Sequence, residues 1–170
     1  MLFEKALFET NGMTFSEFTN ELDREITYCF ELTTPLNKIV VDQKEYRVTL
    51  IAARQVIYGC TPEKTWSCFD ELDLTNLPVP GIPKVKTYSL KNIDDIVSFV
   101  ATLHPSEQEG VVLRDSKFNR IKVKSAAYCF AHKAIDTVSS SPRNCLEIIL
   151  LEKEDDIVPI LPKEIARSLL

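Results

Sequence analysis

The chain has 170 residues, of which 45% are apolar and 26% charged, and a formal net charge of −5. This length fits one domain with a packed core, or one domain with a fragment of another, and no apolar run approaches the roughly 20 residues of a membrane helix. The acidic balance argues against a protein whose whole surface binds nucleic acid, although it allows a local basic site.

The first half of the chain predicts one helix followed by strands. A capping-box pattern at Thr14 and Glu17 predicts a helix from Thr14 to about Ile26. Aromatic and β-branched residues then predict three strands, over residues 27–32, 38–42 and 47–52. Four prolines between Thr61 and Pro83 predict a long connection, with one short helix near residues 66–72.

The second half predicts a helix, a hairpin and more helices. An apolar stripe predicts a helix over residues 92–103. Two strands, 109–115 and 120–124, are separated by a turn short enough for a hairpin. Ser125 is a suitable cap for the next helix. Helices are predicted over residues 126–138, near 144–152 and over 163–170. Because helices and antiparallel-looking strands are mixed without strict alternation, the predicted class is α+β, with antiparallel sheets and packed helices.

The strand from Arg120 to Lys124 is the first candidate site. Side chains alternate across a strand, so Lys122 and Lys124 share one face while Ile121 and Val123 occupy the other. Two ammonium groups about 7 Å apart along a strand can flank a polyphosphate. The alternative is an ordinary amphipathic strand whose lysines face solvent.

Glu109 and Gly110 open the partner strand of this hairpin. A carboxylate opposite two lysines can hold a divalent cation or orient a substrate, and a glycine beside it would let a ligand approach the backbone. The alternative is an exposed charge at a strand start, followed by a turn glycine.

Phe30 and Glu31 form a second candidate site within an apolar strand. An aromatic ring beside a carboxylate suits a purine nucleoside, since the ring can stack and the carboxylate can accept from a hydroxyl. An edge strand with a solvated glutamate would give the same pattern. The isolated histidines, His104 and His132, are expected to be surface or helix-packing residues.

Three segments resemble, in order and in spelling, motifs of the ATP-dependent RNA ligases of the covalent nucleotidyltransferase superfamily. Residues 30–40, Phe-Glu-Leu-Thr-Thr-Pro-Leu-Asn-Lys-Ile-Val, resemble the third motif. Residues 109–112, Glu-Gly-Val-Val, resemble the fourth, and residues 120–128, Arg-Ile-Lys-Val-Lys-Ser-Ala-Ala-Tyr, the fifth. The likeness spans about residues 8–150 and is greatest to the phage-type ligases that repair broken tRNA.

This resemblance implies a fold, cofactors and roles. The fold would be the nucleotidyltransferase domain of ligases and capping enzymes, which is ATP-grasp-like, over residues 1–138, followed by the start of a helical extension over 139–170. ATP and Mg²⁺ would be the cofactors, and RNA 5′-phosphate and 3′-hydroxyl ends would be joined through AMP transfer. The implied nucleotide-binding residues are Phe30, Glu31, Lys122, Lys124 and Tyr128. The implied catalytic residues are Glu109, Lys122 and Lys124, with Glu109 also on the metal.

The family's nucleophile motif does not occur in this sequence. That motif is Lys-x-Asp-Gly, which places a lysine three residues before a glycine. The residues at this spacing before the four glycines are Glu9, Val56, Pro78 and Glu107. We therefore expect a domain that is incomplete at its amino terminus, inactive alone, and served by a separate N-terminal ligase segment. The apolar side chains of Phe3, Leu7 and Phe8 would then be exposed.

Three interpretations of function remain open from the sequence. The chain is either a truncated or split RNA-ligase adenylyltransferase domain, or a non-catalytic module of that fold that binds nucleotide or an RNA end. A structural subunit with a solvated lysine face is a third interpretation. RNA ends, including those of tRNA, are the expected partners, and no membrane partner is expected. The five scattered cysteines contain no Cys-x-x-Cys pair, which predicts reduced thiols, no structural zinc and a cytoplasmic protein, in the host cytoplasm if viral.

Overall fold

A computed structural model describes residues 1–36, 40–56, 69–140, 142–150, 158–160 and 163–167. The chain divides into two compact units. The first comprises Met1–Asn37 and Gln43–Tyr88, and the second comprises Lys38–Asp42 and Ser89–Leu170. Each unit has its own cluster of buried apolar side chains. The predicted domain boundary after residue 138 stays a prediction.

The first unit packs two helices against a small antiparallel sheet. The strands lie in the order β1-β2-β3, and β2 is the central strand. The buried core joins α1 and α2 to the inner face of β2 through Ala6, Leu7, Phe18, Val48, Leu50 and Ile82. The elements are α1 (Leu2–Asn11), α2 (Phe15–Asn20), β1 (Ile26–Thr33), β2 (Arg47–Val56) and β3 (Phe69–Glu71).

Helix α1 was not predicted from the sequence. It has no side-chain cap at its start, and it ends where Gly12, at φ 76°, donates its N–H to the Phe8 carbonyl. A left-handed residue of this kind is a common helix terminator. The expectation that this region exposes its apolar residues is wrong for Leu7, which is fully buried, and for Phe3, which packs against the core. Of the three residues expected to be exposed, Phe3, Leu7 and Phe8, only Phe8 is largely exposed.

Helix α2 begins as predicted but ends early. The Thr14 hydroxyl accepts from the Glu17 N–H and the Glu17 carboxylate accepts from the Thr14 N–H, which confirms the capping box. The predicted helix to Ile26 is too long, because α2 ends at Asn20. Beyond it, the Asp23 carboxylate accepts from the Glu25 N–H, and this local turn leads directly into β1.

In the first half of the chain, the strand predictions hold for β1 and β2 and fail elsewhere. The two strands pair from Ile26↔Gln55 to Thr33↔Arg47, with a bulge between Cys29 and Phe30. The strand predicted over 38–42 is not formed by residues 40–42, and residues 37–39 lie outside the described part. The helix predicted near residues 66–72 is wrong for Phe69–Glu71, which form β3 because their backbone pairs with β2; residues 66–68 are outside the described part.

The second unit contains the predicted hairpin and a helical layer. Its buried core lies along one face of α4, where Tyr128, Ala131, Ile135 and Val138 recur at helical spacing. The Asn92 side chain accepts from the Asp95 N–H and caps α3, as the pattern of that segment indicates. The elements are α3 (Ile93–Ala101), β4 (Gly110–Arg114), β5 (Arg120–Lys124), α4 (Ala126–Ser140), α5 (Pro142–Leu150), a 3₁₀ turn (Val158–Ile160) and α6 (Lys163–Ala166).

The chain is therefore a mixed α+β protein with two small antiparallel sheets and several helices, which confirms the predicted class. Among the helices of the described residues, none combines the length and apolar character needed to cross a bilayer.

Candidate functional site

The hairpin register brings the two candidate lysines to one face. β4 and β5 pair antiparallel, with Gly110 opposite Lys124 and Val112 opposite Lys122. Residues directly opposite each other project to the same side of a sheet. The Ser125 N–H donates to the Glu109 carbonyl over 2.9 Å and extends this pairing by one step. The backbone thus places Glu109 beside the end of β5 that carries both lysines.

Glu109 holds both ammonium groups. Its Oε2 lies 2.7 Å from Lys122 Nζ, and its Oε1 lies 2.6 Å from Lys124 Nζ. The carboxylate side chain is 27% exposed, whereas the lysines are 51% and 41% exposed. Because each oxygen accepts from a different lysine, one carboxylate fixes two cations in position. The predicted juxtaposition of Glu109 with Lys122 and Lys124 is therefore present in the structure.

The ion pairs change the acidity of the groups. Partial burial acts to raise the pKa of Glu109, but the hydrogen bonds from Lys122 and Lys124 outweigh it, so the pKa lies below the ordinary value. The hydrogen bond that Lys124 donates to Glu109 raises the pKa of Lys124. The Glu109 carboxyl and the Lys124 ammonium group are therefore both charged at neutral pH.

We expect the Glu109 carboxyl to titrate below pH 4.5, the usual value for this group. Since the pKa is lower in the folded chain than in the unfolded chain, the ion pairs stabilise the fold above pH 4.5, and this contribution is lost as the pH falls through the folded pKa. Carboxyl ¹³C chemical shifts measured against pH report the midpoint. Lys122→Ala should move it upwards. A midpoint at or above 4.5 in the unmodified chain would contradict the ion-pair geometry.

Tyr128 closes the site on the side of helix α4. The Ser125 hydroxyl accepts from the Tyr128 N–H over 3.0 Å and caps the helix, as predicted. The phenol ring is 7% exposed and lies 5.3 Å from Lys124 Nζ, within range of a cation–π contact. Burial, and next the negative charge of Glu109, raise the pKa of Tyr128, which therefore stays neutral.

A pocket of about 190 Å³ lies beside this ring. Ligand pockets are typically about 300–1,000 Å³, so this one is large enough for a phosphate-sized group but too small to enclose a nucleotide. Within it, His132 Nδ1 lies 3.1 Å from Asp136 Oδ2. The sequence predicts His132 as an isolated surface or helix-packing residue, although its i,i+4 spacing to Asp136 indicates a side-chain pair on one helix face. The lining residues are Lys124, Tyr128, Cys129, His132, Lys133 and Asp136.

Phe30 and Glu31 lie on β1, in the first unit. Exposure alternates along this strand, so Glu31 is exposed while Phe30 packs inwards. The Phe30 ring centroid lies 5.8 Å from that of Phe18 and 6.2 Å from those of Phe3 and Tyr28. The two candidate residues thus face opposite sides of the sheet. This placement gives no support to the predicted purine-stacking role of Phe30, and it leaves Glu31 accessible to a ligand.

Gly110 is required by the hairpin itself. A Cβ at this position would lie 2.0 Å from the Val123 carbonyl oxygen and 2.7 Å from the Lys124 Cα. The close neighbour of Gly110 is therefore the backbone of β5 rather than a ligand, which corrects the expectation from the sequence. The absence of a side chain lets the strands approach where both lysines reach Glu109.

The residues of the hairpin site fit the phosphates of ATP and the Mg²⁺ ion to different degrees. Two lysines on one face, next to a small pocket, suit phosphate oxygens. The described residues contain no group of three or more His, Cys, Asp or Glu side chains arranged for a metal ion. Glu109 offers a single carboxylate, which fits Mg²⁺ only as one ligand among phosphate oxygens and waters.

Comparisons with known proteins give no family for this chain. None of the protein-family models matches it, and neither does any curated protein sequence.

Proposed function

We propose that the hairpin site binds the phosphates of ATP and that the chain is an RNA ligase-like adenylyltransferase domain of the nucleotidyltransferase fold. The observation that carries this proposal is the convergence of Lys122 and Lys124 on the Glu109 carboxylate, at 2.7 and 2.6 Å. The three residues belong to the segments that resemble the fourth and fifth ligase motifs, so residue chemistry and motif resemblance support the same site.

The carboxylate prepares the lysines for an anion. Long lysine side chains lose conformational freedom when they bind a ligand, and this loss weakens binding. Glu109 already restricts both ammonium groups in the free chain, and a phosphate group needs only to compete for them. A lysine released from Glu109 would bind a phosphate oxygen through a charged hydrogen bond, which is among the stronger polar contacts.

Magnesium and the nucleoside complete the proposal. Mg²⁺ would neutralise phosphate charge, and Glu109, once its oxygens are released by the lysines, would be its one carboxylate ligand in this unit. Tyr128 keeps the Lys124 side chain in place through its ring. Glu31, which lies exposed on β1 of the first unit, is assigned to nucleotide binding only by the resemblance to the third ligase motif.

Calorimetric titration tests the binding step. The chain should bind ATP with Mg²⁺ clearly more tightly than adenosine, because the charged contacts are made to the phosphates. Tripolyphosphate should compete with ATP. If adenosine binds as tightly as ATP, or if neither binds, the hairpin is not a nucleotide phosphate site, and its lysines form an ordinary solvated face.

A non-catalytic binding module is the second candidate. It is favoured by one observation: no lysine stands three residues before any of the four glycines. Incubation with labelled ATP and Mg²⁺, followed by denaturation, should leave no adduct on this chain. Adding an N-terminal ligase segment that carries Lys-x-Asp-Gly should restore adenylylation on the added lysine if the chain is a split ligase domain. Bound ATP without adenylylation in the completed protein would favour the module.

A further inference from the structure

The cationic face of the hairpin extends beyond the two lysines. In the register of β4 and β5, Arg114 lies directly opposite Arg120. Arg120, Lys122 and Lys124 alternate with the apolar residues of β5 and therefore share a face, and Arg114 joins them from β4. The four side chains are all exposed. We call them the cationic track.

The charge of this segment is opposite to that of the whole chain. Residues 109–124 contain five Lys and Arg side chains and two carboxylates, those of Glu109 and Asp115, whereas the full chain has a net charge of −5. The Asp115 carboxylate accepts from the Lys117 and Asn119 backbone N–H groups and from the Asn119 amide, so it serves the turn. Positive charge is thus concentrated on one face of one hairpin.

The repulsion between the two opposed arginines destabilises the hairpin, and contacts with a turn residue reduce this effect. Like charges directly opposite each other in a sheet are destabilising. Phe118, at φ 64°, lies between them at the turn. The Arg114 guanidinium lies 5.0 Å from the Phe118 ring centroid, and Arg120 Nη1 donates to the Phe118 carbonyl over 3.0 Å. One residue in a strained conformation therefore orients both guanidinium groups, and it does so at the end of the hairpin opposite Glu109.

We infer that the cationic track binds the sugar–phosphate backbone of a single-stranded polynucleotide, which runs from the turn towards the Lys122–Lys124 site. Same-face residues of an antiparallel strand are about 6.8 Å apart, so the three cations of β5 span about 14 Å. A row of regularly spaced cations matches a polymer of regularly spaced phosphates better than it matches one small anion. Arginine also forms bidentate contacts with phosphate oxygens.

This inference rests on the proposed function in one respect: the strand is taken to be the RNA whose end meets the nucleotide site. The arginines separate the two claims, because they belong to the track and not to the ATP site. An acidic polypeptide is the other polymer that the same charges could bind, and the test includes one.

Fluorescence anisotropy with a labelled 12-nucleotide oligouridine, measured over a range of salt concentrations, tests the track. Each phosphate contact contributes about 0.7 to the slope of log K against log salt for a single strand. The double variant Arg114→Ala/Arg120→Ala should make the salt dependence shallower, reducing the magnitude of the slope by about 1.4. It should also weaken binding about 10- to 25-fold at 0.1 M salt. ATP binding should be unchanged.

Two controls keep the result interpretable. Lys91→Ala with Lys163→Ala removes the same charge from other elements of the second unit and should leave the slope almost unchanged. Arg114→Lys with Arg120→Lys should retain the slope even if loss of the Phe118 contacts lowers thermal stability. Poly-glutamate of similar length should compete weakly.

Three outcomes would overturn the inference: a slope that the alanine pair does not alter, an equal loss in the Lys91/Lys163 control, or poly-glutamate that competes as well as RNA. If ATP binds normally while any of these is found, the track fails and the proposed function stands. If ATP fails to bind while the arginine pair still controls RNA binding, the proposed function fails and the track stands.

Discussion

Replacing Lys122 or Lys124 by alanine should weaken ATP binding about tenfold to hundredfold, since each substitution removes a charged hydrogen bond to phosphate. Affinity for adenosine should barely change. The double variant should lose more than either single variant, although not the product of the two losses, because both lysines share Glu109. Calorimetric titration in matched buffers gives the affinities.

One control variant and one stability measurement show whether the loss of ATP affinity is specific to the phosphate site. Lys91→Ala removes a positive charge from an exposed position before α3 and should leave ATP affinity within about twofold, because distant exposed charges are screened. Thermal unfolding of the Lys122 and Lys124 variants should stay close to that of the unmodified chain, since exposed ion pairs contribute little stability. Lower thermal stability with unaltered ATP affinity would assign these lysines a structural role.

Replacing Gly110 by alanine should destabilise the second unit by about 2–3 kcal/mol, the upper part of the range for an overpacked site. The added Cβ would meet backbone atoms of β5, at 2.0 Å from the Val123 oxygen, and backbone cannot move aside as a side chain can. Because the strands must separate at this point, the Glu109 ion pairs should be lost as well. Urea denaturation gives the change in free energy of unfolding.

Gly12→Ala is the matched control. Gly12 has a positive φ of 76°, but a Cβ there would meet no atom within 4 Å. This substitution therefore carries only the conformational cost of a left-handed residue, about 1–2 kcal/mol. Equal losses at Gly12 and Gly110 would show that the close contact across the hairpin does not constrain the strands.

The hairpin could be predicted because its signals are local. Alternation along Arg120–Lys124 and the short turn before it set both the strands and the face that the lysines share. The position of Glu109 beside that face followed from the same register. The pairing of each Glu109 oxygen with a different lysine could not be predicted, because it depends on side-chain conformations that periodicity does not describe.

The failures have non-local causes. β3 forms because its backbone pairs with β2, which precedes it in the chain and is separated from it by residues 57–68. α1 has no side-chain cap, and its buried residues, Ala6 and Leu7, pack in the core shared with α2 and the sheet. The purine-stacking role of Phe30 stays a prediction. Phe30 and Glu31 face opposite ways along the strand, and the rings of Phe3, Phe18 and Tyr28 lie next to Phe30 on the core side.

On binding ATP, Lys122 and Lys124 should leave Glu109 and bind the nucleotide phosphates. NMR of the lysine side chains and the Glu109 carboxyl, recorded while ATP and Mg²⁺ are added, measures this change of partner directly. Both lysine signals should shift as ATP saturates, the Glu109 carboxyl signal should shift with them, and adenosine should cause neither change. Lysine and carboxyl signals that stay fixed while ATP binds elsewhere on the chain would contradict the proposed phosphate site.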